Sequence, residues 1–331
     1  MKFIQVLILT IISAQFFSCK SPIPSSMQEQ NPLLCDPDSG ICELPFSQQD
    51  SLANDSYASI TKPVKIIYFT DPICSSCWGI EPQLRKLKLE YGKYIEVEYR
   101  MGGLLPDWSY NSGGISKPSD VASHWDEVSL YYDMPIDGDV WLEDPLHSSY
   151  PPSIAFKAAQ MQSKEKAIVF MRTIREMVFL QKKNITKWEH LEQAAKLANL
   201  DVLKLKTDYE GQAKALFQED LNLGRTMGVR GFPTMFFLDS NGNTEKVYGS
   251  KPYSVYETAL LKLLPAAKKY EFKRDWQSIF VIYPTLTANE YATLSGTERK
   301  AAEMFLNSLT ENGDLVKLNT KNGALWSLKK P

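Results

Sequence analysis

The sequence predicts an α/β fold: a βαβ unit, a long all-helical insertion and a ββα unit, followed by a small α+β module. Three observations carry this. Val64-Lys65-Ile66-Ile67-Tyr68-Phe69-Thr70 is near-continuously apolar and β-branched, the pattern of a strand buried on both faces. Ile95 to Met101 alternates Ile, Val and Tyr with Glu, Glu and Arg, a second strand, and a helical stretch lies between the two. A strand–helix–strand unit this short makes its strands parallel. Successive helical patterns then run to Met227, and strand pattern resumes at Gly228.

The elements follow from local cues. A helix is expected from Cys74 to Tyr91, with Leu84, Leu87 and Leu89 among its apolar positions and Gly92 ending it. Gly102 to Pro152 is rich in Gly, Pro, Asp and Trp and holds one helix, Pro118 to Tyr132. Four more helices are expected at Ser153–Gln162, Lys164–Lys182, Thr186–Asn199 and Asp201–Met227. Ile168, Met171, Ile174 and Val178 form one packing face. Strands follow at Met235–Leu238 and Thr244–Tyr248, joined by the turn sequence Asp239-Ser240-Asn241-Gly242-Asn243, and Pro252–Leu264 closes with a helix.

Four segments are expected. Residues 1–18 are a leader, 19–62 a tether, 63–265 the main domain with its insertion at about 104–227, and 268–331 the C-terminal module. A net charge of -2 and 44% hydrophobic residues describe a globular chain with a sizeable core and no general affinity for nucleic acid. Met1-Lys2 precedes an apolar run, Phe3 to Phe17, too short to span a bilayer comfortably, and Ser18-Cys19-Lys20-Ser21 ends it. This ending resembles a bacterial lipobox of the looser Bacteroidetes type. It would make Cys19 a lipidated N-terminus, anchored to the membrane with the domain in the periplasm. Translation from Met27 would instead give a cytoplasmic protein.

The chemistry centres on Cys74-Ser75-Ser76-Cys77. The pair follows a strand and opens a helix, whose unpaired N–H groups and dipole favour a thiolate at Cys74. Cys77, one turn on, can close on it, so a redox dithiol is expected, against a structural disulfide or a zinc knuckle. Zinc needs a second ligand pair, and His124, His147 and His190 lack metal spacing, so no metal and no cofactor are expected. Setting Cys19 aside leaves a second pair, Cys35 and Cys42, around the turn Asp36-Pro37-Asp38-Ser39-Gly40-Ile41. It is either an auxiliary dithiol serving the active site or a structural loop staple.

The order of elements, with the Cys-x-x-Cys and the distant Gly231-Phe232-Pro233-Thr234, resembles the thioredoxin fold, in its DsbA-like form with a helical insertion. Three stretches resemble the FrnE/YjbH-like branch of dithiol oxidoreductases: Asp71-Pro-Ile-Cys-Ser-Ser-Cys-Trp-Gly-Ile-Glu-Pro82, Met101-Gly-Gly-Leu-Leu-Pro-Asp-Trp108 and Ser149-Tyr-Pro-Pro-Ser-Ile-Ala-Phe156. The resemblance implies that Pro233 is cis and faces the dithiol, and that Cys74 is the exposed attacking thiolate with Cys77 the buried resolving thiol. It also implies that the backbone of Phe232 pairs with an extended substrate segment. Ser75 and Ser76 offer hydroxyls to the Cys74 sulfur, and Pro82 kinks the helix. Trp78 either walls the groove or sits in the core. Where thioredoxin and DsbA bury an acid, this chain has Tyr68. Asp71 is either a substitute proton-transfer group or a turn residue before Pro72.

At the C-terminus Ile279–Tyr283 reads as a strand, Ala288–Leu294 and Thr297–Asn312 as helices, and Leu315–Leu318 with Ala324–Leu328 as a hairpin, resembling a winged helix. Mixed charge on Thr297–Asn312 argues against DNA reading. Three functions compete. One is a thiol-disulfide oxidoreductase or isomerase acting on cysteine-containing proteins, with a separate redox partner. The second is a YjbH/SpxH-like adaptor for proteolysis, if cytosolic. The third is a glutathione-dependent isomerase or transferase of the kappa type, whose members carry Ser where this chain has Cys74.

Overall fold

The computed structural model describes residues 35–36, 40–43, 62–109 and 117–329. The leader, Cys19, Met27 and the rest of the tether lie outside the described residues.

Strands β1 (Cys35–Asp36) and β2 (Ile41–Glu43) form a short antiparallel hairpin with Cys35 opposite Cys42. The central unit follows: β3 (Val64–Thr70), α1 (Ser75–Gly79), α2 (Glu81–Tyr91) and β4 (Ile95–Met101). β3 and β4 are parallel in register from Val64↔Ile95 to Thr70↔Met101. The helix expected from Cys74 to Tyr91 is two helices that break at Ile80. Pro82 is the cause: it has no N–H to bond the Trp78 carbonyl, and it sits in the first turn of α2, where that donor is not missed.

The insertion comprises α3 (Pro118–Tyr132), α4 (Val140–Glu143), α5 (Tyr150–Gln162), α6 (Lys164–Leu180), α7 (Trp188–Leu197), α8 (Val202–Glu210) and α9 (Ala213–Thr226). The helix expected over Asp201–Met227 is therefore two. Gly211 ends α8, its N–H reaching back to the carbonyls of Thr207 and Asp208. Then come β5 (Gly231–Phe232), β6 (Thr234–Asp239), β7 (Thr244–Tyr248) and α10 (Tyr253–Leu263). The main sheet has the order β4-β3-β6-β7, with β6 antiparallel to both neighbours. This is a thioredoxin fold with an all-helical insertion.

The C-terminal module contains α11 (Trp276–Ile282), β8 (Thr285–Thr287), α12 (Ala288–Ser295), α13 (Arg299–Glu311), β9 (Leu315–Thr320) and β10 (Gly323–Leu328). Its sheet order is β8-β10-β9, a winged-helix-like arrangement. The strand expected at Ile279–Tyr283 is a correction: Ile279–Ile282 belong to helix α11, and Tyr283 follows as its C-cap. Asp275 starts that helix by accepting the Ser278 N–H at 2.9 Å, and a cap there outweighs β-branched propensity. Ile279, Phe280, Leu286, Leu306 and Trp326 anchor the module's own core.

Candidate functional site

The dithiol stands where β3 runs out. Phe69 of β3 pairs with Thr234 of β6, so Pro233 lies opposite Thr70 at the edge of the turn that leads to Cys74. The Phe232–Pro233 peptide bond is cis. Cys74 caps α1, its sulfur accepting the Cys77 N–H at 3.2 Å. Both cysteines are free thiols and both are fully buried.

Cys74 was expected to be exposed, and the structure corrects this. What covers it is the chain's own β2. Cys42 pairs with Phe232 and Glu43 with Gly231, so the Phe232 edge already carries an added strand. The Cys74 thiol reaches Cys42 Sγ at 3.3 Å. Cys42 is disulfide-bonded and itself 0% exposed. Burial pushes the Cys74 thiol well above its ordinary value, and the neighbouring Cys77 and Asp71 push in the same direction. A five-residue helix brings too little dipole to reverse that.

Cys77 faces a different environment. Burial raises its pKa, but the Cys74 thiol, the Arg175 charge and the Thr70 hydroxyl together hold it below the usual thiol range. Arg175 was missed from the sequence. It comes from α6, is 1% exposed, and donates to Glu81 Oε1 at 2.7 Å, Thr70 Oγ1 at 2.6 Å and the Asp71 carbonyl at 3.2 Å. The signal was present: Arg172, Arg175 and Glu176 put charges into the mostly apolar run Ile168 to Leu180, the two arginines at one-turn spacing. Charges on a packing face need partners, and such partners mark sites.

The remaining candidates divide. Asp71 is fully buried, accepting from Ile73 N–H at 3.0 Å, Leu104 N–H at 2.8 Å and the Ser149 hydroxyl at 2.8 Å. Burial raises it to about 6 against the pull of those bonds. These contacts describe a turn residue that fastens the Cys74 loop to the Gly103–Leu105 strip and the start of α5. Trp78 is core: it stacks on Phe179 at 5.5 Å, donates to the Pro135 carbonyl at 3.1 Å, and carries Arg172 on its face at 4.3 Å. It does not wall a groove. Ser75 is buried beside it in α1. The Ser76 hydroxyl bonds Tyr132 Oη at 2.7 Å and lies 3.4 Å from Cys42 Sγ, so it serves Cys42 and not the Cys74 sulfur. The Phe232 ring lies on Gly102, where any Cβ would overlap it, which explains a glycine at that place.

An ion network ties this site to the C-terminal module. Glu290 accepts both forks of Arg172, at 2.8 and 3.0 Å, and Arg85 at 3.3 Å, while its other duty is to accept the N–H of Thr287, the N-cap of α12, at 2.8 Å. Arg85 and Arg175 share Glu81. Among the described residues no cluster of His, Cys, Asp or Glu is arranged to hold a metal ion.

Sheet order, helical insertion and a Cys-x-x-Cys beside a cis-proline define a thioredoxin-class protein of the DsbA-like kind. Residues 68–258 match the family model described as Thioredoxin. The chain is 36% identical over 304 residues to the ClpXP adapter protein SpxH of Halalkalibacterium halodurans, covering 90% of this chain and 97% of that one. It is 30% identical to the SpxH of Bacillus subtilis, over 80% of this chain and 89% of the relative. Among solved structures, a candidate protein disulfide isomerase from Nitrosomonas europaea superimposes with a TM-score of 0.52 at 19% identity, over 62% of this chain and 97% of that one, a likeness of fold. The chain belongs to the thioredoxin family and is a relative of the SpxH proteins.

Proposed function

We propose that this chain is an adapter of the SpxH type, a binding protein that presents a client to ClpXP. The observation that supports this most is the extent of the likeness to SpxH, which takes in the thioredoxin domain and the C-terminal module together. The Phe232 edge beside Pro233 carries β2, so an extended client segment would add there as a strand by displacing it. The adapter reading fits translation from Met27 and a cytoplasmic protein. The lipobox reading, with Cys19 lipidated and the domain in the periplasm, competes with it.

A second reading is favoured by the reduced Cys74/Cys77 pair: dithiol–disulfide exchange with cysteine-containing proteins, recharged by a separate redox partner. One comparison separates the two. Protein half-lives are measured in the native host after deletion of this chain and after loss of ClpXP, with a Cys74→Ala/Cys77→Ala double variant added back. Adapter function predicts a shared set of stabilised proteins whose turnover the double variant restores. Deletion that leaves every ClpXP substrate at its normal half-life defeats the adapter reading. Exchange function predicts that the double variant loses reduction of insulin disulfides in vitro. Fractionation of the wild type beside Cys19→Ala decides the compartment.

A further inference from the structure

We propose that the β1–β2 hairpin is a tethered disulfide substrate of this chain's own dithiol, with Cys42 the sulfur that Cys74 attacks. The observations are independent of any client. β2 occupies the edge of Phe232, next to the cis-proline, in antiparallel register. That pairing delivers Cys42 Sγ to 3.3 Å from Cys74 Sγ. Cys42 is in a disulfide while Cys74 and Cys77 are reduced, so the two halves of an exchange reaction face each other in one molecule. Cys35, the residue opposite Cys42 in the ladder, is the partner this assigns to the bond.

The hairpin is held there deliberately. Gly40 turns the chain at φ +66, a left-handed conformation that suits glycine, and an added Cβ would come within 2.7 Å of the Ser250 side chain. The Ser250 N–H donates to the Gly40 carbonyl at 2.6 Å. Ile41 and Cys42 are both buried. A mere loop staple needs none of these contacts with the dithiol.

The electrons balance within the chain and the protons through solvent. Where Cys77 is ionised beside Arg175, the Cys74 thiol passes its proton to the Cys77 sulfur and attacks Cys42 Sγ. The Cys74–Cys42 bond forms, the Cys42–Cys35 bond breaks, and Cys35 leaves as a thiolate that takes a proton from solvent, while Cys77 returns its proton to solvent. Cys77 then attacks Cys74 Sγ. The Cys74–Cys77 bond forms and Cys42 leaves as a thiolate, with the Ser76 hydroxyl 3.4 Å from its sulfur to receive it. The active-site dithiol is oxidised, the hairpin disulfide is reduced, and no outside oxidant enters.

The test is a trap in the purified full chain. Cys77→Ser is prepared without reductant, alkylated, and digested with Asp-N protease, which cuts before Asp38 and separates Cys35 from Cys42. Non-reducing mass spectrometry should find Cys42 joined to Cys74 and Cys35 alkylated. Finding Cys35 still joined to Cys42 with Cys74 alkylated overturns the proposal, and Cys77→Ala repeats the reading should serine unfold this buried place. A second measurement leaves every cysteine intact. Gly40→Val should undock the hairpin and speed alkylation of Cys74 by iodoacetamide roughly tenfold or more, since a covered thiol reacts only on local opening; an unchanged rate overturns it. The trap reads sulfur connectivity without a client, so it can fail while ClpXP-dependent turnover is intact, and the reverse.

Discussion

Cys74 and Cys77 are one turn apart and equally buried, yet their surroundings push them in opposite directions. On the Cys74 side lie a disulfide sulfur, a packed strand and the like charges of Cys77 and Asp71, none of which favours a thiolate. On the Cys77 side lie Arg175 and the hydroxyl of Thr70. Position in the motif therefore does not set the direction of either shift. In a site sealed from water the facing groups set it: the Cys74 thiol first, then Arg175 and Thr70, pull Cys77 down against its burial.

The largest effect should come from removing that charge. Arg175→Met leaves Glu81 underpaired in a buried setting and is expected to cost about 3 to 5 kcal/mol in chemical denaturation. It should also raise the Cys77 pKa, read from ultraviolet thiolate absorbance against pH. Arg175→Lys should restore part of the thiolate signal without restoring stability, because it keeps the charge and loses the fork. If Cys77 titrates unchanged in both variants, the contrast between the two sides is not electrostatic.

Next comes Asp71, whose charge adds to the upward push on Cys74. Its folded pKa, about 6, lies above the usual carboxylate value, so the native state binds its proton more tightly than the unfolded chain does. The stability it contributes is present at low pH and is lost as pH rises through 6, by about 3 kcal/mol over the whole window. Thermal melts at acid and neutral pH should show the wild type losing ground to Asp71→Asn as pH rises. A constant difference between the two proteins removes the buried carboxyl from the account.

Gly102→Ala sharpens the Cys74 side. The new methyl overlaps the Phe232 ring and should cost about 1 to 3 kcal/mol. Because Phe232 carries β2, Cys74 should become easier to alkylate. The smallest effects are reserved for Leu130→Ser and Leu203→Ser, whose side chains are 79% and 80% exposed. These should change stability by no more than about 0.5 kcal/mol and leave both thiols as they were.

Much of the frame was legible because its cues are local. β3, β4 and α3 fall where apolar run, alternation and a leading proline put them. The breaks at Ile80 and Gly211 were missed although Pro82 and Gly211 stood in plain view, since an amphipathic pattern continues across both. Helix α11 was hidden by Ile279, Val281 and Ile282, whose strand propensity a single Asp275 cap overrides. The dithiol was found from motif and spacing and the cis-proline from the family resemblance, while Trp78, left open between groove and core, is packing. Arg175 and the seating of Cys42 were not found. Each depends on a contact between residues far apart in sequence, 98 positions from Cys77 in one case and 32 from Cys74 in the other. No periodicity encodes such a meeting.

The pairing of Cys42 with Phe232 makes the protein its own competitor. A strand of the same chain meets that edge intramolecularly, at an effective concentration that dilution of the protein does not lower. Any visitor to the same edge is therefore weakened by the fraction of time the resident is docked. Severing the resident's disulfide would free its two arms from each other and shift that balance. In this way the thiol state of the hairpin would set how often the edge is open, and occupancy of the edge would report the redox state of its surroundings.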